Sequence, residues 1–444
     1  MTTFKPREPY SEQELNRLFP ETLRLEQVQI LLRHGILKKC SLTNSSQCEI
    51  QEYWPYCNAA QRMRSVLLSP NGDWDYMTFR RNLETFNGKD DSPVLAETMA
   101  HENGGICLPG ELTDTGRRTT LALGSRLRNL YIERLNFLPA TLSQSTQAQL
   151  YLRATPIPRA LESVQQAFLG LYPESSREPD LPIADIVTRQ ASDETLFPNE
   201  GGCKRFGQLA LAFGDRAAQI WNDSPELRYV TSKIGKWMPK ESPAVKIDSH
   251  PRLSGVMDTI NSTRAHGPAT KLPSEFYDAK LISNIDRIAV DEWFSGYRES
   301  SEYRRLGIGA LVGDITARMT TPSTPSALPS SSSSTSSLWS RIFGPPSATL
   351  TPPTNSRTPL NSLPASDRAA LDGFYVRIRF NDRVVSVPGC AAAGAHHPNG
   401  DASLCTLAAF KGIVDKFTPH DWKAECGMRL GESALPAEVE EAGY

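Results

Sequence analysis

The chain has 444 residues, of which 39% are hydrophobic and 22% charged, with a formal net charge of −2. The length fits one large α/β domain carrying an insertion, or two to three smaller domains, with apolar residues enough for a sizeable core. The balance of charge leaves no basic excess to attract nucleic acid, and no apolar run approaches the ~20 residues of a membrane span.

Residues 1–20 read as a flexible lead-in. They show no apolar h-region, and Glu8, Glu12 and Glu14 speak against a transit peptide. A cytoplasmic or mitochondrial location is expected over secretion. Residues 21–173 form the first part of an α/β core. Val28 to Leu32 is a short apolar run suited to a buried strand. It ends in Arg33-His34-Gly35, which places a cation and an imidazole at the strand's C-terminal edge, where open α/β sheets bind ligands. On these three residues alone the commoner reading is a strand end with a hydrogen-bonded histidine.

A loop follows, from Ile36 to Cys57. Pro109-Gly110 marks a turn and Thr113 opens a helix with Leu123, Leu127, Leu130 and Tyr131 on one face. Arg117, Arg118, Arg126, Arg128 and Arg134 on that helix read as a solvated face. Ala148 to Thr155 reads as a second strand, ending in Arg153-Ala154-Thr155. After Pro156 and Pro158 a helix starts near Arg159, and a strand, short turn and helix aim a helix N-terminus at an anion.

Residues 174–319 read as a helical cap or insertion, clearest over Ser274–Glu299. Its loop 265–273 holds His266 and Lys271, and a lone loop histidine reads as a surface residue. Residues 320–365 are dominated by Ser, Thr and Pro and read as a disordered linker. Residues 366–430 return to the core, with a hairpin around Asn381-Asp382-Arg383 and a helix near Thr406–Phe417, and 431–444 is a tail. His396 and His397 read as surface residues, and Asp314 is given no role. The eight cysteines form no C-x-x-C pair, so structural zinc is not expected, and a chain this long does not demand disulfides.

Taken in order, Arg33-His34-Gly35, Leu112-Thr113-Asp114-Thr115-Gly116, Arg153-Ala154-Thr155 and Arg159-Ala160-Leu161-Glu162-Ser163 resemble the histidine acid phosphatase family. LFPNEGGC (196–203), Val387-Pro388-Gly389-Cys390 and Leu404-Cys405-Thr406-Leu407 are similar to its intracellular branch, which contains lysophosphatidic acid phosphatases. The resemblance implies a phosphoglycerate-mutase-like three-layer α/β/α sandwich with a helical cap. It implies hydrolysis of small phosphate monoesters through a phosphohistidine, with no metal and no cofactor. His34 would be the nucleophile, and Arg33 and Arg153 the phosphate clamp. Lys38 and Thr155 would complete the substrate-binding set. A lipid phosphate with peripheral contact to the lipid is the expected substrate, with phytate as a rival.

Two departures stand beside the matches. The family continues R-H-G with x-R-x-P, whereas this chain has Ile36-Leu37-Lys38-Lys39, so Leu37 replaces a forked donor and Lys38 offers only a point charge. The family's late His-Asp, which supplies the proton donor, is expected between Thr316 and Phe374, a stretch without histidine. The motif therefore reads as absent, and the sheet as lacking a strand beside its first. An active phosphatase, an impaired phosphatase serving as a binding protein, and a shortened gene product are the three readings.

Overall fold

A computed structural model of the chain describes residues 8–35, 54, 56–96, 105–267, 270–320 and 358–444. The fold mixes helices with short strand pairs and divides into two units, Met1–Arg189 with Gly214–Trp293, and Gln190–Phe213 with Phe294–Tyr444.

In the first unit, helix α1 (Glu12–Leu18) starts at a capping box. Ser11 N–H donates to Glu14 Oε2 at 3.1 Å, and Glu14 N–H donates back to Ser11 Oγ at 3.3 Å. Its Leu15 packs on Leu130 and Tyr131. Two hairpins follow, β1 (Arg62–Leu68) with β2 (Trp74–Arg80), and β3 (Glu84–Phe86) with β4 (Pro93–Leu95). Helix α2 (Asp114–Arg128) is capped by the Thr113 hydroxyl. Strand β5 (Leu152–Arg153) leads into α3 (Pro158–Leu171), whose first residue is proline with φ already suited to a helix, and β5 pairs in parallel with β6 (Ile186–Val187). The helical remainder comprises α4 (Lys204–Trp221) from Gly214 onward, α5 (Pro225–Ile234), α6 (Leu253–His266) and α7 (Ala279–Glu299) as far as Trp293. Val230, Ile234, Leu253, Val256, Phe276 and Ile288 form its core, together with Trp54.

Helices α2 and α3 cross with their backbones in contact. A Cβ on Gly124 would lie 2.0 Å from the Ala167 carbonyl oxygen, and one on Gly170 would lie 2.2 Å from that of Leu121. Neither position has room for a methyl group. Two of the arginines of α2, Arg117 and Arg128, tie this crossing down, while Arg118 is exposed as expected. Arg117 donates to the Leu112 carbonyl at 2.6 Å and pairs with Glu162 of α3, and Arg128 donates to the Leu171 carbonyl at 3.1 Å.

The strand expected over Val28–Leu32 does not form. Residues 24–35 carry no regular structure, and Ile30 and Leu31 are 44% and 57% exposed. A strand needs a ladder partner, and among the described residues none pairs with this run. Leu25 and Val28 pack against the α1–α2 apolar cluster. The strand expected over Ala148–Thr155 shrinks to Leu152–Arg153, because the amides of Gln149 and Leu150 donate back to the carbonyls of Thr146 and Gln147, in the helical turn that ends just before it, at 3.0 Å each. Every sheet among the described residues has two strands.

The second unit holds α8 (Ala310–Thr320), β7 (Tyr375–Val376), β8 (Ile378–Phe380), β9 (Arg383–Val385), β10 (Cys405–Thr406) and α9 (Leu407–Asp415). β8 and β9 form a hairpin that turns through Asn381 and Asp382, both at positive φ, the turn sense that suits strand twist. β7 pairs with β10. Arg205 is one of the buried charges of this unit. It bonds both carboxylate oxygens of Glu302 at 3.0 Å and donates to the backbone carbonyls of Glu432 and Ser433 at 3.0 and 2.7 Å. Most of the linker expected over 320–365 lies outside the described residues. Its far end is ordered by a hydrogen bond from Leu360 N–H to Asp415 Oδ2 at 2.7 Å.

Among the described residues three disulfides form where none was required: Cys57–Cys107 in the first unit, and Cys203–Cys426 and Cys390–Cys405 in the second. Cys40 and Cys48 lie outside the described residues.

Two substitutions test these anchors. Gly124→Val should destabilise the chain by about 1–3 kcal/mol or more through overpacking, read as a lower midpoint in urea. Arg205→Ala should cost about 3–5 kcal/mol by leaving Glu302 in place without its buried partner, read in the same titration.

Candidate active site

Three of the sequence motifs meet at Gly35. Its N–H donates to Ser163 Oγ on α3 at 3.2 Å, and that hydroxyl donates to the Arg159 carbonyl at 2.7 Å. On its other side a Cβ would stand 2.5 Å from the Gly116 carbonyl oxygen and 2.9 Å from Leu112 Cδ1. Only glycine lets the Arg33-His34-Gly35 segment lie against the first turn of α2. The R-H-G, L-T-x-x-G and R-x-L-x-S motifs are thus one packing unit.

His34 is half-buried and its Nδ1 lies 2.9 Å from the Gly35 carbonyl oxygen. A carbonyl can only accept, so Nδ1 carries the hydrogen of the neutral ring and the lone pair sits on Nε2. Arg33 is exposed, and its guanidinium lies 4.0 Å from the Asp258 carboxylate on α6. Arg153 is half-buried at the end of β5, where the Ala154 N–H donates to the Val187 carbonyl at 3.1 Å and fixes the register. The half-buried Thr155 begins the turn into α3, its carbonyl accepting from Ile157 N–H at 2.8 Å. Arg33, His34, Arg153 and Thr155 all belong to the first unit, with α3 linking the β5 end to Gly35 through Ser163. Lys38 and Leu37 lie outside the described residues.

His266 is not the surface loop residue expected. It is the last residue of α6, half-buried, stacked on Tyr56 with ring centroids 4.9 Å apart, and edge-on to Trp54 at 5.3 Å. Its Nδ1 lies 2.8 Å from the Ser262 carbonyl, and its Nε2 lies 2.9 Å from Thr113 Oγ1. Burial holds its pKa below the usual imidazole value. No local sequence signal marks this residue, because its partners are 153 and 4 residues away in the chain.

A His-Asp pair does occur, at His420-Asp421, beyond the stretch from Thr316 to Phe374, so the expectation that the chain lacks one is corrected. The pair is exposed in the second unit and opens a short helix, Trp422–Glu425. Asp421 Oδ1 accepts from Ala424 N–H at 3.0 Å, and His420 N–H donates to Glu425 Oε1 at 3.0 Å. It is a helix start, not a strand end.

The sequence profile of the histidine phosphatase superfamily (branch 2) matches residues 24–333. A probable acid phosphatase of Schizosaccharomyces pombe is 31% identical over 92% of this chain and 95% of that protein. Human lysophosphatidic acid phosphatase type 6 is 28% identical over 61% of this chain and 55% of its own length. The crystal structure of a phytase from Klebsiella sp. ASR1 overlaps 50% of this chain and 57% of that one, with a TM-score of 0.32 and 17% identity.

Gly35→Ala should push the motif segment off α2. The expected result is a loss of about 1–3 kcal/mol of stability, seen as a lower thermal midpoint.

Proposed function

The chain belongs to the histidine phosphatase superfamily (branch 2), and on that premise we propose that it hydrolyses phosphate monoesters through a phosphohistidine formed on His34. The observation that carries this reading is the junction at Gly35, where the R-H-G segment is held by the starts of both motif helices. His34 Nε2 donates its lone pair to phosphorus as the P–O bond to the alcohol breaks. Water then attacks phosphorus, the P–N bond breaks and inorganic phosphate leaves. Arg33, Arg153, Lys38 and Thr155 bind the phosphoryl oxygens, with the arginine forks matched to its geometry. The leaving alkoxide needs a proton, and no acid is assigned to that step.

The three-layer sandwich expected of the fold belongs to this proposal. The parallel pair β5–β6, with α3 following β5, supports it. The substrate proposed is a lipid monophosphate, carried over from the name of the human relative. Peripheral contact with lipid draws on the β1–β2 hairpin. One of its faces presents the exposed Leu68, Val66, Trp74 and Tyr76 near the turn, and Arg62, Arg64 and Arg80 at the base, with Asp73 and Asp75 offsetting part of that charge. The three disulfides among the described residues favour an oxidising compartment over the cytoplasmic or mitochondrial location expected from the sequence. A second reading, a binding protein with a degenerate pocket, draws on Leu37 and on the histidine-free stretch from Thr316 to Phe374. Vanadate binding without turnover would establish it.

Leaving-group dependence tests the reading. p-Nitrophenyl phosphate, whose phenolate leaves unprotonated, should be hydrolysed, and His34→Ala should abolish that activity. Alkyl phosphates should react about 10²–10⁴ times more slowly if no general acid serves the site. Equal rates for wild type and His34→Ala would remove the assignment.

A further inference from the structure

We propose that His266 is a positioning residue: as a neutral imidazole it holds the start of α2, and through it Gly35 and His34, and its protonation loosens that hold. The inference rests on the assignment of His34 to the site.

The hydrogen bonds fix the direction of every proton in the chain of contacts. The Ser262 carbonyl accepts, so Nδ1 of His266 is the N–H nitrogen and Nε2 carries the lone pair. Nε2 therefore accepts from the Thr113 hydroxyl at 2.9 Å. Thr113 Oγ1 in turn accepts from Gly116 N–H at 3.1 Å. The carbonyl of Gly116 is the wall against which Gly35 lies. Thr113 is fully buried. Helix α6 thus reaches the site twice, through His266 to the α2 start and through Asp258 to Arg33.

Protonation puts a second N–H opposite Thr113 Oγ1. Nε2 then no longer accepts from the hydroxyl, so the link between α6 and the α2 start is lost, and an imidazolium sits among the rings of Tyr56 and Trp54. Burial is the main cause that keeps the pKa of His266 below 6.5, and Arg118 of α2 adds to it as a like charge. The Ser262 carbonyl and Asp114 pull the other way without reversing the direction. The sign follows. A histidine whose folded pKa is depressed contributes stability that is fully present above its unfolded pKa of about 6.5 and is lost as pH falls through the folded value. The α2 start is therefore tightest at neutral pH and slackens on the acid side.

The test compares wild type, His266→Gln, His266→Phe, Thr113→Val and the double variant His266→Phe with Thr113→Val. kcat and KM for p-nitrophenyl phosphate are measured across the acid-to-neutral range, together with tryptophan fluorescence. His266→Gln keeps a neutral acceptor, so its acid fluorescence step should vanish and its acid limb in kcat/KM should lose the part that wild type owes to His266. His266→Phe and Thr113→Val should each lower kcat about tenfold with little change in KM, and the double variant should be no worse than either. Wild-type kcat with an unchanged acid limb in His266→Phe and His266→Gln, or additive losses in the double variant, would overturn the proposal. If wild type proves inactive, the function proposed above fails separately. Hydrogen exchange at the Gly116 amide then decides: lower protection in His266→Phe, and in wild type at acid pH, upholds the role of His266, and equal protection overturns it.

Discussion

The contact between the α2 and α3 backbones is the constraint on which the candidate site depends. Gly124 and Gly170 let two helices approach until carbonyl oxygens fill the space of absent side chains. At such a distance dispersion between backbones replaces the interdigitation of side chains. The crossing also sets the separation of the two helix starts, since both helices begin on the side where Gly35 lies. Gly116 and Ser163 then grip one glycine from opposite sides. A change of helix spacing far from His34 would be felt at its backbone.

The order of the motifs was legible in the sequence because each is local: a glycine, a capping threonine, a serine one turn into a helix. The helices were legible for the same reason, with Thr113 capping α2 and Pro158 opening α3. The strand over Val28–Leu32 was not, because a strand is a property of its neighbour as much as of its own residues. Its four apolar residues satisfy the pattern, yet no described segment offers them a ladder. Arg117 and Arg128 of α2 were misread as solvated, since nothing local distinguishes a guanidinium facing water, as that of Arg118 does, from one bonded to the Leu112 or Leu171 carbonyl. His266 was hidden by distance in the chain, and the cysteine pairing by combinatorics, as eight cysteines admit about a hundred full pairings.

The motifs of the second unit carry architecture. In LFPNEGGC, the Asn199 side chain bonds the carbonyls of Ala191 and Glu194 and accepts from Gly202 N–H at 2.8, 3.1 and 2.8 Å, which closes the turn that delivers Cys203 to Cys426. The cysteines of Val387-Pro388-Gly389-Cys390 and Leu404-Cys405-Thr406-Leu407 are bonded to each other. These motifs build turns and cross-links, whereas the motifs around Gly35 pack together on one glycine.

The Cys203–Cys426 bond closes a span of 223 residues. Chain-entropy arguments give cross-links over such spans on the order of 5 kcal/mol by restricting the unfolded ensemble. The same bond has a topological meaning. A single cut anywhere between positions 203 and 426, a span that includes the whole Ser/Pro-rich tract, leaves two fragments that stay joined until a reductant is added. Cleavage there would convert one polypeptide into a two-chain molecule of nearly unchanged mass, and its integrity would pass from the peptide backbone to a pair of sulfur atoms.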